Sequence, residues 1–154
     1  MPNERVKEYA FLLLKYRLRS EAELYRRLKQ KKFLDEEIKE ALLFLKEKKF
    51  IDDKVFVKAW ISSRLGRSFG LKRISRELKI KGVPRDVLEE GIEQAKKGYC
   101  ESRIIEELAR DRLARIKDVG LPKARNRTYA YLLRRGFSPE VVMDTLNKIC
   151  KQMF

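Results

Sequence analysis

The residue types that most often perform acid–base, nucleophilic or metal chemistry are scarce in this chain. It has no histidine, which removes the commonest general base and metal ligand. Its two cysteines, Cys100 and Cys150, lie far apart and form no Cys-x-x-Cys motif, so we expect two small buried hydrophobic residues. No glycine-rich phosphate loop occurs. The sequence predicts no catalytic residues, no metal and no cofactor, and we expect a protein that is not an enzyme.

One adjacent pair of acids, Asp52 and Asp53, deserves comparison with a nuclease site. A nuclease would need carboxylates clustered around Mg²⁺. This pair instead stands where a helix is predicted to begin, and negative charge is favourable at a helix N-terminus. We therefore interpret both residues as caps of the helix predicted near 53–65.

The chain is strongly basic. Its 154 residues include 38 lysines and arginines and 23 aspartates and glutamates, which gives a formal charge of +15. Hydrophobic residues make up 44%, enough to fill cores, and charged residues make up 40%, too many for a membrane protein. Apolar runs are too short to cross a bilayer, and the first residues contain no apolar signal. We expect a cytoplasmic protein with no membrane partner. Its positive charge is expected to bind a polyanion.

The elements that carry this charge are predicted to be helices throughout. Good helix formers dominate, apolar residues recur at spacings of three and four, and strand alternation is lacking. The pattern predicts an all-α chain in which three units hold three helices each. First helices are expected near 4–17, 53–65 and 100–117, second helices near 20–31, 70–81 and 122–135, and third helices near 35–48, 84–96 and 138–151.

The three units are related by an internal repeat. Shifting the first unit by 50 residues aligns Leu28 with Leu78. Shifting the second unit by 54 residues aligns Leu78 with Leu132 and Gly82 with Gly136. The repeat predicts three domains, residues 1–49, 50–97 and 98–154. Each second and third helix together have the outline of a helix-turn-helix.

Turn and cap residues support these boundaries. Gly82 and Gly136 stand where a second helix ends and the backbone often needs a positive φ, whereas Lys32 occupies the first such turn and should make it less favourable. Ser20 with Glu23 predicts a capping box. Asp35 and Ser138 are the other predicted N-caps, Pro84 lies at or next to a helix start, and Pro139 occupies the first position of a helix.

One small core per unit is predicted. The middle core would consist of Phe56, Trp60, Ile74, Leu78, Val83, Leu88 and Ile92. Trp60 could serve as a stacking platform for a base, but its spacing from Phe56 favours core packing. Phe69, between basic residues and glycines, could equally stack on a base or fill the middle core.

The positive charge is sorted by element. The second helices with their turns, residues 20–34, 70–83 and 121–137, carry +12 in total, whereas the third-helix segments together carry −4. Solubility or thermal adaptation raises charge content without sorting it by helix, so a repeated basic helix favours an extended polyanion or a partner that carries an acidic groove. We predict salt-sensitive binding to phosphates with little sequence preference. The candidate residues for DNA or filament binding are Arg26, Arg27, Lys29, Arg67, Lys72, Arg73, Arg76, Lys79, Lys123, Arg125, Arg127, Arg134 and Arg135.

A combination of short motifs spans nearly the whole chain. The middle unit contains Asp52-Asp53, Phe56, Trp60, Arg64, Gly70, Arg73-Ile74, Glu77-Leu78 and Lys81-Gly82-Val83; the first contains Leu13-Leu14, Arg17, Arg19-Ser20-Glu21 and Glu23-Leu24; the third contains Tyr131-Leu132, Arg135-Gly136-Phe137 and Val142. In these residues the chain resembles the RecX family, bacterial regulators of the RecA recombinase. Lys32 departs from the family pattern, which often has glycine there.

The resemblance implies both a fold and a function. It implies three tandem three-helix repeats in an elongated, curved molecule that binds RecA in the groove of the RecA–DNA filament. It also implies inhibition of the ATPase, strand-exchange and coprotease activities, and so modulation of DNA repair and the SOS response. Binding to single- and double-stranded DNA without strong sequence preference is implied as well. We expect a monomer, and the alternative hypothesis is a stand-alone helix-turn-helix transcription factor.

Overall fold

The computed structural model describes residues 3–153, and in that range the chain forms nine α-helices and no β-strand. Each helix begins and ends within a few residues of its predicted position, which confirms the all-α prediction. The helices are α1 (Glu4–Tyr16), α2 (Glu21–Gln30), α3 (Asp35–Glu47), α4 (Asp53–Gly66), α5 (Leu71–Ile80), α6 (Arg85–Lys96), α7 (Glu101–Arg115), α8 (Leu121–Arg134) and α9 (Pro139–Gln152).

Two three-helix groups each enclose a hydrophobic core. Helices α1, α2 and α3 contact one another around Val6, Leu24, Leu28, Ile38 and Leu45, all fully buried. Helices α7, α8 and α9 do the same around a second set, Ile105, Ala109, Leu132, Phe137, Val142, Leu146 and Ile149. Both cores come from the three-to-four spacing that predicted the helices.

The chain divides into two compact units that cut across the middle repeat. The first unit runs to Trp60 and includes Glu77–Gly91, and the second contains Ile61–Arg76 and everything from Ile92 onward. Helices α4, α5 and α6 therefore each contribute residues to both units. Of the seven residues predicted for the middle core, five are buried, whereas Trp60 and Ile92 are only partly buried.

The turn after each second helix has the same backbone conformation in all three repeats. Lys32, Gly82 and Gly136 have φ angles of 67°, 77° and 95°. The next residue in each turn donates its N–H to the carbonyl five residues earlier, which is the hydrogen bond of a Schellman motif. The positive φ predicted for the two glycines is confirmed, and Lys32 adopts it as well.

The predicted caps have mixed outcomes. Ser20 and Glu23 form the capping box at the start of α2. Ser138 is the N-cap residue of α9, but its hydroxyl and N–H both donate to Glu101 instead of its own helix. The prediction for Asp35 is wrong, because Leu34 holds the N-cap position of α3 and Asp35 is its first helical residue.

The acid pair and the cysteines also differ in part from expectation. Asp52 caps α4 by accepting the N–H of Lys54 at 2.9 Å. Asp53 instead accepts the N–H of Glu21, at the start of α2, at 3.0 Å. Cys100 is exposed, so its expected burial is wrong: it is the N-cap residue of α7, in contact with solvent beside Ser102.

Candidate nucleic-acid interface

The thirteen candidate basic residues fall into two groups by exposure. Ten are exposed, and the other three, Arg73, Arg125 and Arg135, are partly buried. The partly buried side chains have internal partners. Arg125, for example, donates to Asn147 on α9. Partial burial therefore identifies three of the candidate cations as residues that hold the fold.

In the first compact unit, the start of α2 packs against the turn that ends α5. We call such a contact a joint. The Ser20 hydroxyl donates to the Lys81 carbonyl at 2.6 Å, and the Arg26 guanidinium donates to the Ile80 carbonyl at 2.9 Å. Both carbonyls belong to the end of a helix, where backbone acceptors lack intrahelical partners. Arg26 is therefore a structural residue of this joint, although its side chain remains exposed.

A buried carboxylate strengthens the first joint. Glu23 accepts hydrogen bonds from Arg17 and from the Ser20 N–H, and its carboxylate lies 3.3 Å from the Lys81 ammonium. Burial acts to raise the pKa of Glu23, but these hydrogen bonds and positive charges outweigh it and hold the pKa below its ordinary value. The sequence identified Glu23 only as a capping residue, and its ion pair with Lys81 joins two repeats.

In the second compact unit, the start of α5 packs against the turn that ends α8. The Gly70 N–H donates to the Arg135 carbonyl at 2.7 Å, and the Lys72 N–H donates to the Gly136 carbonyl at 3.2 Å. Arg73 reaches the Arg134 carbonyl at 3.4 Å. Unpaired N–H groups at one helix start thus meet unpaired carbonyls at another helix end.

An aromatic ring surrounded by arginines occupies the second joint. The guanidinium carbons of Arg73 and Arg135 lie 4.1 Å and 4.3 Å from the centroid of the Phe69 ring, within cation–π distance. Arg135 also donates to the carbonyls of Arg67 and Ser68. Stacking of Phe69 on a base would require displacing an arginine, so the ring is a packing element of the joint.

Glycine is required in the turns that form the joints. A Cβ at Gly136 would lie 2.5 Å from the Arg73 nitrogen and 2.9 Å from its Cα, and a Cβ at Gly82 would lie 2.6 Å from the Ala22 Cβ. Lys32, in contrast, is exposed to solvent, so the turn after α2 has room for a side chain.

After the joint residues are set aside, eight exposed candidates remain without a side-chain hydrogen bond or ion pair inside residues 3–153. Lys72, Arg76 and Lys79 follow helical spacing along α5. Lys29, by contrast, lies 3.9 Å from Asp35. The eight free cations are Arg27, Arg67, Lys72, Arg76, Lys79, Lys123, Arg127 and Arg134.

Residues 3–153 contain no group of three or more cysteine or acidic side chains placed to hold a metal ion. Over the same range, no helix combines the length and apolar character needed to cross a membrane.

Comparison with known proteins identifies the family. Three family models match consecutive parts of the chain: the first three-helix domain of RecX over residues 7–45, the second over 52–92 and the third over 101–146. The chain belongs to the RecX family. RecX regulatory proteins from Thermotoga petrophila and Haemophilus influenzae are 40% and 30% identical to it, over 92% and 91% of this chain and 82% and 91% of their own lengths.

Solved structures of the RecX family share the fold. A RecX crystal structure from Lactobacillus salivarius superposes with a TM-score of 0.78 at 20% identity, covering 94% of both chains. A second crystal structure of a RecX regulatory protein gives a TM-score of 0.75 at 18% identity, covering 92% of this chain and 71% of that one. The prediction of three tandem three-helix repeats is therefore confirmed.

Proposed function

We propose that this protein is a non-enzymatic cytoplasmic regulator that binds RecA and lies in the groove of the RecA–DNA filament. There it lowers the ATPase, strand-exchange and coprotease activities of the recombinase. Membership of the RecX family supports this role. The observation that carries it is that eight of the thirteen candidate cations, on or beside the second helices of all three repeats, are exposed and have no side-chain partner within residues 3–153.

The free cations suit contact with a phosphate backbone rather than with base edges. Lysine and arginine neutralise phosphates without reading sequence, and the released counterions make such binding sensitive to salt. The set lacks the mixture of asparagine, glutamine and arginine that direct readout usually employs. We therefore propose that single- and double-stranded DNA are both bound with little sequence preference.

The repeats are proposed to act as modules with the boundaries 1–49, 50–97 and 98–154, in a chain that works as a monomer. Each module presents its own basic helix to the same polyanion. Contacts that are weak one at a time then combine, because binding of one module raises the effective concentration of the next.

A strand-exchange assay tests the proposal. RecA-driven exchange between homologous DNAs is measured with and without the protein at low salt, and stoichiometric amounts should suppress it. Unchanged exchange would contradict the proposal. A selection from random duplexes is the second arm: a tight consensus sequence would favour the alternative, a stand-alone transcription factor.

A further inference from the structure

Helix α1 carries large apolar side chains among its solvent-exposed residues as well as on its core side. Val6, Ala10 and Leu13 face the core, yet Leu12 and Tyr16 on the other side are 49% and 77% exposed. With Phe11, Leu18 and Phe50 they form a set of large apolar residues that we call the α1 apolar face. Leu12 and Tyr16 are neighbours at i and i+4 of the helix, and Phe11 contacts Phe50. Single exposed apolar residues are normal, whereas neighbouring ones on a chain with 40% charged residues mark an interaction surface.

The α1 apolar face is held in place by the fold. The rings of Phe11 and Phe50 meet edge to face with centroids 4.9 Å apart. Phe50 is fixed by the turn after α3, in which Lys49 has a φ of 61° and the Phe50 N–H donates to the Leu45 carbonyl at 2.8 Å. Arg17 donates to the Leu18 carbonyl at 2.8 Å. A preorganised surface loses little conformational entropy when a partner binds.

The charges around this face indicate the kind of partner. Arg5, Lys15, Lys48 and Lys49 are exposed on α1 and beside Phe50, and no ion pair engages their side chains within residues 3–153. On α1 and in residues 47–50 the exposed acids are Glu4, which pairs with Lys7, and the unpaired Glu8 and Glu47. Unpaired basic side chains therefore outnumber unpaired acidic ones around the face. The +15 charge of the chain disfavours a second copy of itself. Aromatic and leucine side chains bordered by lysines fit an amphipathic protein segment with apolar and acidic residues.

We propose that the α1 apolar face docks the protein partner, through an acidic amphipathic segment of that partner, while the free cations of the second helices bind nucleic acid. The two ligands then occupy different residues and can be separated by substitution. The choice of RecA as the first probe rests on the proposed function.

The test uses the double variant Leu12→Gln, Tyr16→Gln in the full chain. Both residues are exposed, so helicity measured by circular dichroism should be unchanged. The matched control is Leu34→Gln, Ile80→Gln, which removes two side chains of similar exposure, 67% and 64%, from outside the α1 apolar face. Affinities are measured for DNA-free RecA, for fluorescent DNA without RecA, and for a synthetic amphipathic helix of leucine and glutamate.

We expect the double variant to bind RecA and the synthetic helix about tenfold more weakly, as for truncation of interface anchors. Its affinity for DNA should stay within about twofold, because no phosphate-binding cation is changed. The control should match the unsubstituted chain on every probe. Equal binding of RecA and the synthetic helix by the double variant and the unsubstituted chain would overturn the inference.

Two further outcomes distinguish a failure of the proposed function from occupation of the α1 apolar face by a lipid surface or a second copy. If the unsubstituted chain binds the synthetic helix through Leu12 and Tyr16 but does not bind RecA, the proposed function fails and the docking face stands. If the double variant instead loses binding only to phosphatidylglycerol vesicles, or only self-association in sedimentation velocity, the face belongs to a lipid surface or a second copy and the inference is overturned.

Discussion

Three residues at one repeat position, Lys32, Gly82 and Gly136, show how a neighbour decides which side chain a turn tolerates. All three have positive φ, which costs a non-glycine residue roughly 1–2 kcal/mol. The two glycines are covered by another second helix, whereas Lys32 is exposed to solvent. The positive φ of the turn therefore permits a side chain at a modest cost in stability, whereas the packing at a joint leaves no room for one.

A matched pair of substitutions tests this distinction. Gly136→Ala should lower the free energy of unfolding by on the order of 3 kcal/mol, because strain at positive φ adds to a collision with the Arg73 backbone. Lys32→Gly should raise it by roughly 0.5 kcal/mol, since relief of strain outweighs the added freedom of the unfolded chain. Urea denaturation measures both. Equal and small effects would mean that the joint does not restrict Gly136.

The carboxylate of Glu23 gives the first joint a pH dependence. Because its folded-state pKa lies below the ordinary value of 4.5, its contribution to stability is present above that value and is lost as the pH falls through the folded pKa. Glu23→Gln should lower the free energy of unfolding by about 2 kcal/mol near neutral pH. The deficit should shrink as the pH falls through the folded-state pKa and Glu23 becomes protonated in the parent chain.

Glu107→Gln is the control for this prediction, because Glu107 is exposed and no ion pair engages it within the described residues. Thermal or urea unfolding is measured for both variants across the acidic pH range. A deficit for Glu23→Gln that is independent of pH would show that the carboxylate charge is not what stabilises the joint.

At the scale of elements, helix α5 combines two roles that the sequence could not separate. Its Arg73 belongs to the second joint, whereas Lys72, Arg76 and Lys79 are exposed and unpaired within the described residues. A substitution of Arg73 would therefore disturb the fold together with binding. Lys79 offers the same charge without a structural contact of its side chain.

Charge reversal at Lys72, Arg76 and Lys79 tests the role of α5 in binding. Changing all three to glutamate should weaken DNA binding by at least about a hundredfold at low salt, because each lost phosphate contact also loses counterion release. Helicity by circular dichroism should be preserved. Fluorescence anisotropy with a labelled oligonucleotide measures the affinity.

The matched control lies on α6, an acidic third helix. Asp86, Glu89 and Glu90 are exposed, and changing them to lysine alters three charges without touching a predicted contact. We expect DNA affinity to be unchanged or tighter. Weakening equal to that of the α5 variant would show that the basic second helices are not the binding face.

Local patterns predicted the helices and turns, but the joints depend on which elements meet. Apolar spacing located the nine helices of residues 3–153, and glycine located two of the three positive-φ turns that follow the second helices. In contrast, Glu23 and Arg73 occupy the same repeat position with opposite charges. Glu23 meets Lys81, and Arg73 meets Phe69. Spacing within a single sequence does not specify these neighbours, so Arg26, Arg73 and Arg135 were predicted as ligand contacts.

At the scale of the whole molecule, the net charge of +15 leads to a prediction about salt. If several of the eight free cations contact phosphates together, DNA affinity should fall on the order of a thousandfold between about 50 and 200 mM salt. Anisotropy titrations across that range give the slope of log affinity against log salt. The α5 charge-reversal variant should have a shallower slope, and a slope near zero for the parent chain would contradict phosphate binding.

The two joints also bear on how the number of repeats in such a chain can change during evolution. In each joint the start of one second helix meets the turn after the next, so an interior repeat brings both the donating start and the accepting turn. Duplication of the middle repeat within a gene would therefore supply a new module with both of its partners. The turn at Lys32 is different, because a lysine side chain stands where an accepting turn needs glycine. Gain or loss of an interior repeat is therefore the change in length that we expect to preserve the joints.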